Sequence, residues 1–310
     1  MEEKHISVLL NESIEALKLK EDSTVVDATL GYGGHSSYIL KRIKGGHLFA
    51  FDQDSEAIRH STDRLSAIGT NFTIIKSNFL YIEKELNKRG IQKVDAILYD
   101  LGVSSPQLDE DERGFSYHKD AKLDMRMDKD NPLSAYEVVN NYSKEELTNI
   151  FYKYGEDKFS KRIAEKIVEY RKSKNIETTL ELVDIIKSAV PQKFSREKHP
   201  ARQIFQAIRI EVNHELDVLT PSLEQSLKLL NVGGRLAVIT FHSLEDKIVK
   251  HLFQKVCETD ELYKGMPNIP EEYLPDYKLV YRKAILPTEE ELTNNKRSRS
   301  AKLRVIERIK

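Results

Sequence analysis

Thr24-Val25-Val26-Asp27-Ala28-Thr29-Leu30-Gly31-Tyr32-Gly33-Gly34-His35-Ser36 is a short β-branched run that meets a glycine-rich turn and enters a helix-compatible stretch reaching Ile43. The pattern repeats outward. Gly45-Gly46 closes the first helix, His47 to Phe51 supplies a second strand ending at Asp52, and Ala57, Ile58, Leu65 and Ile68 share one face of the next helix. Phe72 to Lys76 reads as a third strand, Tyr81 to Lys88 as a helix, and Val94 to Leu98 as a fourth strand ending at Asp100. Strands alternating with helices at this pitch predict an α/β fold, a Rossmann-like parallel sheet with helices on both faces.

After Asp100 the alternation gives way, for about a hundred residues, to helical periods over 144–154, 159–171, 179–189 and 201–219. A further helical run, 223–230, precedes a returning strand signal at 233–241, and the stretches 277–286 and 301–309 can close the sheet as an antiparallel hairpin. The expected organisation is a discontinuous core, 1–105 and 211–310, carrying a helical, RNA-binding insert over 106–210.

With 39% hydrophobic and 32% charged residues among 310, disordered and fibrous classes are excluded. Cys257 is the only cysteine, so an intramolecular disulfide framework and a multi-cysteine metal centre are excluded as well, and no metal is expected. No stretch approaches the ~18 apolar residues of a membrane helix, and the first residues carry no basic region leading into an apolar run. The expected location is the cytoplasm, with no membrane partner. A formal net charge of −1 confines any nucleic-acid site to local basic patches. Three exist: 161–174, the group Lys193, Arg196, Lys198, Arg202 and Arg209, and the group Lys296, Arg297, Arg299, Lys302 and Arg304. The first reads best as a solvated helix face, and the third as a surface for RNA.

A glycine turn between a first strand and helix serves dehydrogenases and methyltransferases alike. Asp27 discriminates between them. A carboxylate at the end of the strand would repel a dinucleotide pyrophosphate, whereas the sulfonium of S-adenosylmethionine tolerates or gains from it. Asp52 suits the ribose hydroxyls of either cofactor and separates nothing. On the residues alone a methyltransferase is favoured and its substrate stays open.

The chain is similar nearly end to end to the bacterial RsmH (MraW) 16S rRNA cytosine-N4 methyltransferases. The likeness rests on residues 5–12, on Asp27-Ala-Thr-Leu-Gly-Tyr-Gly-Gly-His-Ser36, on Asp100-Leu-Gly-Val-Ser-Ser-Pro-Gln-Leu-Asp109, and on Arg113-Gly-Phe-Ser-Tyr117 with Leu123-Asp-Met-Arg-Met-Asp128. It continues through His199-Pro-Ala-Arg202, residues 205–213, Phe241-His-Ser-Leu-Glu-Asp246 and residues 297–304. The resemblance implies S-adenosylmethionine as cofactor and methyl transfer to the exocyclic amine of a cytidine in the decoding region. It places cofactor contacts at Gly33, Gly34, His35, Asp52, Phe79, Asp100 and Gln107, and makes 16S rRNA or the small ribosomal subunit the partner, leaving the oligomeric state open.

A cytosine amine is a poor nucleophile, so positioning and electrostatics must carry the rate. Asp100 resembles the first residue of the Asp/Asn-Pro-Pro-aromatic motif of amino-methyltransferases and is the first catalytic candidate. Leu101-Gly102-Val103 supplies no aromatic ring. The base would therefore stack on Phe115, Tyr117 or Phe241, each of which also suits a core position. His242 is the second catalytic candidate, as a proton relay, with phosphate binding or a structural role equally open. Ser104 and Ser105 either touch the base or shape the turn, and Arg297, Arg299 and Lys302 are candidate RNA contacts. Two alternatives remain: a methyltransferase acting on DNA, protein or a small molecule, and a non-catalytic RNA-binding assembly factor.

Overall fold

Each strand-like run becomes a strand: β1 Thr24–Asp27, β2 His47–Asp52, β3 Phe72–Lys76, β4 Val94–Asp100 and β5 Leu230–Thr240, joined by β6 Tyr277–Leu279 and β7 Lys302–Arg308. They form one sheet in the order β3-β2-β1-β4-β5-β7-β6. The first five run parallel, and β7 is antiparallel to both neighbours. This computed structural model describes residues 7–104, 107–108, 110–191, 193, 199–259, 261–263 and 269–310. Ser105, Arg196, Lys198 and the start of the 5–12 motif lie outside the described residues.

The expected α/β sheet is therefore present, and the period of two decides which side chain goes where. Val25, Leu48, Ala50, Ala96, Leu98, Ala237 and Ile239 enter one apolar cluster. Val26, Phe49, Phe51, Ile97, Tyr99, Leu236 and Val238 enter the other. Both faces are covered. Tyr99 is wholly buried, and its hydroxyl is shared with Ser222 (2.5 Å) and Ser226 (2.7 Å) on the helix Glu215–Leu229, so no polar atom is stranded there. The closing hairpin differs in extent from its sequence signal. β6 holds three residues, after which the Val280 amide donates to the Val305 carbonyl and Ile285 bridges to Leu303.

The chain forms two compact units, Met1–Gly102 with Leu216–Lys310, and Val103–Glu215. The second is built from five helices among its described residues, Ala135–Asn141, Lys144–Gly155, Ser160–Tyr170, Thr179–Ala189 and Ala201–Asn213. Three of them start on a capping box, Ser134 with Glu137, Ser143 with Glu146 and Thr178 with Glu181. The period read over 201–219 is two helices. His214 takes a left-handed φ of 51°, and Arg209 grips Glu215 through two hydrogen bonds of 2.8 and 2.9 Å across the break. Asn213 ties the long loop to this helix end: its Oδ1 accepts from the Met127 amide, and its Nδ2 donates to the carbonyls of Met125 and Arg209. In the same loop Arg126 pairs with Asp124 and donates to the carbonyls of Lys129 and Asn131.

Candidate functional site

The parallel register carries Asp27, Asp52 and Asp100 to the carboxyl ends of adjoining strands. Ligands of open α/β sheets bind at this edge, because loops there diverge and leave a crevice. Gly31 (φ 49°) and Gly33 (φ 73°) turn the chain in left-handed conformations between β1 and the helix Gly34–Arg42. Gly34 is required for a different reason. A Cβ there would come within 1.8 Å of Ser7 Oγ.

Asp52 fastens this turn. Its Oδ2 accepts from the Gly31 amide (2.8 Å) and its Oδ1 from the Asp54 amide (2.8 Å), and the Gln53 amide also bonds to the carboxylate. Burial nevertheless pushes its pKa up to about 6. Asp27 is 1% exposed, accepts from Ser36 Oγ (2.6 Å) and the Thr29 amide (3.1 Å), and is also raised above the usual carboxylate range by burial. Asp100 sits at the end of β4, where its own amide donates to Thr29 Oγ1 (2.6 Å). Its Oδ2 faces His35 Nδ1 at 3.5 Å, while its Oδ1 is buried without a hydrogen-bond partner. Desolvation first, then the neighbouring anions of Asp27 and Glu245, hold its carboxyl well above the ordinary carboxylate range.

His35 is buried, with Nε2 3.1 Å from the Val8 carbonyl, so its visible work is to bind the segment before the helix Leu10–Ala16 and to face Asp100. Phe79 lies edge-on to Tyr99 at 5.4 Å. His242 caps the helix Ser243–Cys257, and Glu245 completes a capping box by accepting from the amides of Phe241 (2.7 Å) and His242 (3.3 Å). Phe241 is partly buried and packs on the apolar cluster of its face. Arg297 and Arg299 are exposed on the 3-10 turn Lys296–Ser300. Lys302 is not so available, because its Nζ pairs with Asp246 (2.9 Å), as does Arg304 (2.7 Å).

Gln107, Ser104, Phe115 and Tyr117 belong to the second unit. Gln107 is buried, and its Oε1 accepts from the Ser104 amide at 3.0 Å. Phe115 is 6% exposed, with the Arg113 guanidinium 5.9 Å from its ring centre. Tyr117 is half-buried and stacks on His199 at 4.7 Å, beside His118 and Phe205. The same unit carries an open groove of about 480 Å³ lined by Lys144, Glu145, Thr148, Asn149, Tyr152 and Lys161, none of them a sequence candidate for the site.

Three residues of the strand-end site escaped sequence reasoning. Thr29 and Ser36 are recognisable only through the carboxylates they serve. Glu245 stands three residues after His242, a capping-box spacing that the sequence does print.

The model of the MraW methylase family matches residues 2–309. The chain belongs to the MraW methylase family. As a member, it uses S-adenosylmethionine as its methyl donor. Solved structures similar to this MraW-family chain include an rRNA methylase from Streptococcus thermophilus, 13% identical over 99% of both chains with a TM-score of 0.46. A putative rRNA methylase from Clostridium thermocellum is 13% identical over 99% of this chain and 98% of that one, at 0.44. NSun6 from Pyrococcus horikoshii, solved with the ligand SFG, is 12% identical over 96% of this chain and 51% of that one, at 0.43.

The residues fit a cationic donor. Asp100 Oδ1 is a buried, unsatisfied acceptor at a strand end crowded with carboxylates, which is what a positive ligand relieves and a pyrophosphate aggravates.

Proposed function

We propose that this MraW-family methylase transfers the methyl group of S-adenosylmethionine to the exocyclic N4 amine of a cytidine in the decoding region of 16S rRNA. The observation that carries the reading is the unsatisfied carboxylate of Asp100 at the end of β4, in a chain matched to the family over nearly its whole length. The motif likeness supplies the substrate. Asp52 and the turn through Gly33 and Gly34 would hold the nucleoside part of the cofactor, with Phe79, His35 and Gln107 as further contacts. Bound there, the cofactor supplies an electrophilic methyl. The protein's part is to aim the amine and to accept its hydrogen bonds at Asp100, without competition from water.

A cytidine is reached only when splayed from its stack, so loops and single strands are the accessible targets. The second unit and the exposed Arg297 and Arg299 are the surfaces assigned to RNA, Tyr117 is the assigned stacking ring, and the cytoplasm is the assigned location. Among the described residues no helix is long and apolar enough to cross a membrane.

The test is methylation of 16S rRNA and of assembled small subunits with labelled cofactor, followed by nucleoside mass spectrometry. N4-methylcytidine at one decoding-region position is expected. A methylated base of another kind, or label only in protein or DNA, refutes the assignment. Asp100→Asn is expected to slow single-turnover transfer at saturating cofactor and RNA on the order of a hundredfold, the scale of one lost preorganised electrostatic contact.

A further inference from the structure

Two carboxylates from separate elements, Asp27 on β1 and Glu245 on the helix Ser243–Cys257, act on Asp100 at the end of β4, and among the described residues no cation is named with them. His35, from the helix Gly34–Arg42, is the fourth titratable group facing it. The Val8 carbonyl can only accept, so His35 Nε2 carries a hydrogen. His35 Nδ1 and Asp100 Oδ2 then face each other at 3.5 Å. Two bare acceptors would repel there, so one proton belongs to the pair, either on Nδ1 beside a carboxylate or on the carboxyl beside a bare nitrogen. Burial and the two neighbouring anions favour the carboxyl.

Two buried atoms at this edge are left unsatisfied. Asp100 Oδ1 has no hydrogen-bond partner, and His242 Nε2, on a side chain 9% exposed, lies 3.1 Å from Glu245 Oε1 without forming a hydrogen bond. Of the two, Asp100 Oδ1 is an acceptor, the kind of atom that a ligand bringing positive charge relieves.

We propose that the His35–Asp100 pair holds one proton in the cofactor-free protein, gives it up when the cationic methyl donor binds, and takes one back from the acceptor once that charge is gone. A sulfonium beside three carboxylates favours the ionised form of Asp100, so binding releases the proton to solvent. In transfer the acceptor nitrogen's lone pair forms the N–CH3 bond as the C–S bond breaks and its electron pair stays on sulfur. The nitrogen now carries the positive charge and one proton too many. Asp100, facing a neutral thioether, regains its affinity for a proton and takes the surplus one from nitrogen. A neutral methylated amine, a neutral thioether and the protonated pair remain, so charge and atoms balance. The second half rests on the amine reading given above, and the first half on the cofactor alone.

Calorimetry in two buffers of different ionisation enthalpy counts the protons exchanged on binding S-adenosylmethionine or S-adenosylhomocysteine, from pH 6 to 8. Close to one proton released is expected for the sulfonium, with its affinity rising up to about tenfold per pH unit while the pair is protonated. The neutral thioether should release far less, and Asp100→Asn should abolish the difference between the two ligands. Equal release for both ligands overturns the proposal, and so does a difference that survives Asp100→Asn, which would trace it to the ligands' own amines. If that variant does not fold, the wild-type contrast between the two ligands decides alone. RNA is absent throughout, so a negative result leaves the rRNA assignment standing, and failure to methylate rRNA leaves the proton count intact.

Discussion

The carboxylate of Asp52 receives backbone amides from Gly31, Asp54 and Gln53, which leaves about one of its roughly four lone-pair sites for a ligand hydroxyl. Asp52→Ala therefore removes a turn fastener and a ligand acceptor together, and titration calorimetry should show cofactor binding weakened by about 1–3 kcal/mol. Undiminished affinity would remove Asp52 from the cofactor site. Its pH dependence follows from a pKa raised from 3.8 to about 6. A raised folded-state pKa means the native protein holds the proton more tightly than the unfolded chain. The associated stability is complete below 3.8 and is lost as pH rises through about 6. In the cofactor-free protein, Asp52→Asn should flatten the fall in melting temperature across that window, measured against wild type at each pH. Parallel curves would mean that Asp52 titrates normally.

At the scale of elements, the loop segments are as constrained as the helices. Gly114 takes φ 69°, and a Cβ there would meet the Lys122 carbonyl at 2.3 Å and the Asp124 amide at 3.0 Å, both backbone atoms. Gly114→Ala should cost more than the ~1–2 kcal/mol of a left-handed alanine, with hydrogen exchange rising first in residues 113–125. Exchange that rises first in the sheet instead would contradict this. Such constraints explain what the sequence did and did not disclose. The first, second and fourth strands were legible because each is a short apolar run that ends at an aspartate, Asp27, Asp52 or Asp100, so local chemistry marks both its body and its end. The break at His214 was not, since one left-handed residue leaves the apolar period on either side intact. Asp100 was legible as a strand terminus. Its meeting with His35 was not, because it depends on β1 and β4 being neighbours, which is a fact of topology and not of spacing. Phe115 reads in the sequence as a stacking ring or a core residue, and in the structure it is buried.

At the scale of the whole molecule, a net charge of −1 leaves RNA attraction to patches, and exposure decides which cations within a patch count most. Arg297 and Arg299 are exposed, whereas Lys302 is shared with Asp246. Replacing both arginines with glutamine should reduce the logarithmic salt slope of RNA binding by roughly 0.7–0.9 for each, and adding Lys302→Gln should change it much less. An unchanged slope in the double variant would make the turn ordinary solvated surface.

The strand order has a consequence for how the protein is made. β7 lies between β5 and β6, and among the described residues β6 has no other strand neighbour. During translation β6 therefore leaves the ribosome before the strand that holds it, and β5 waits with one edge unpaired over the same interval. The nascent sheet finishes with its later-made strand inserted between two earlier ones. A frameshift or protease cut that removed residues 302–308 would cost two strands, and would leave the exposed edge of β5 open to pairing with another chain.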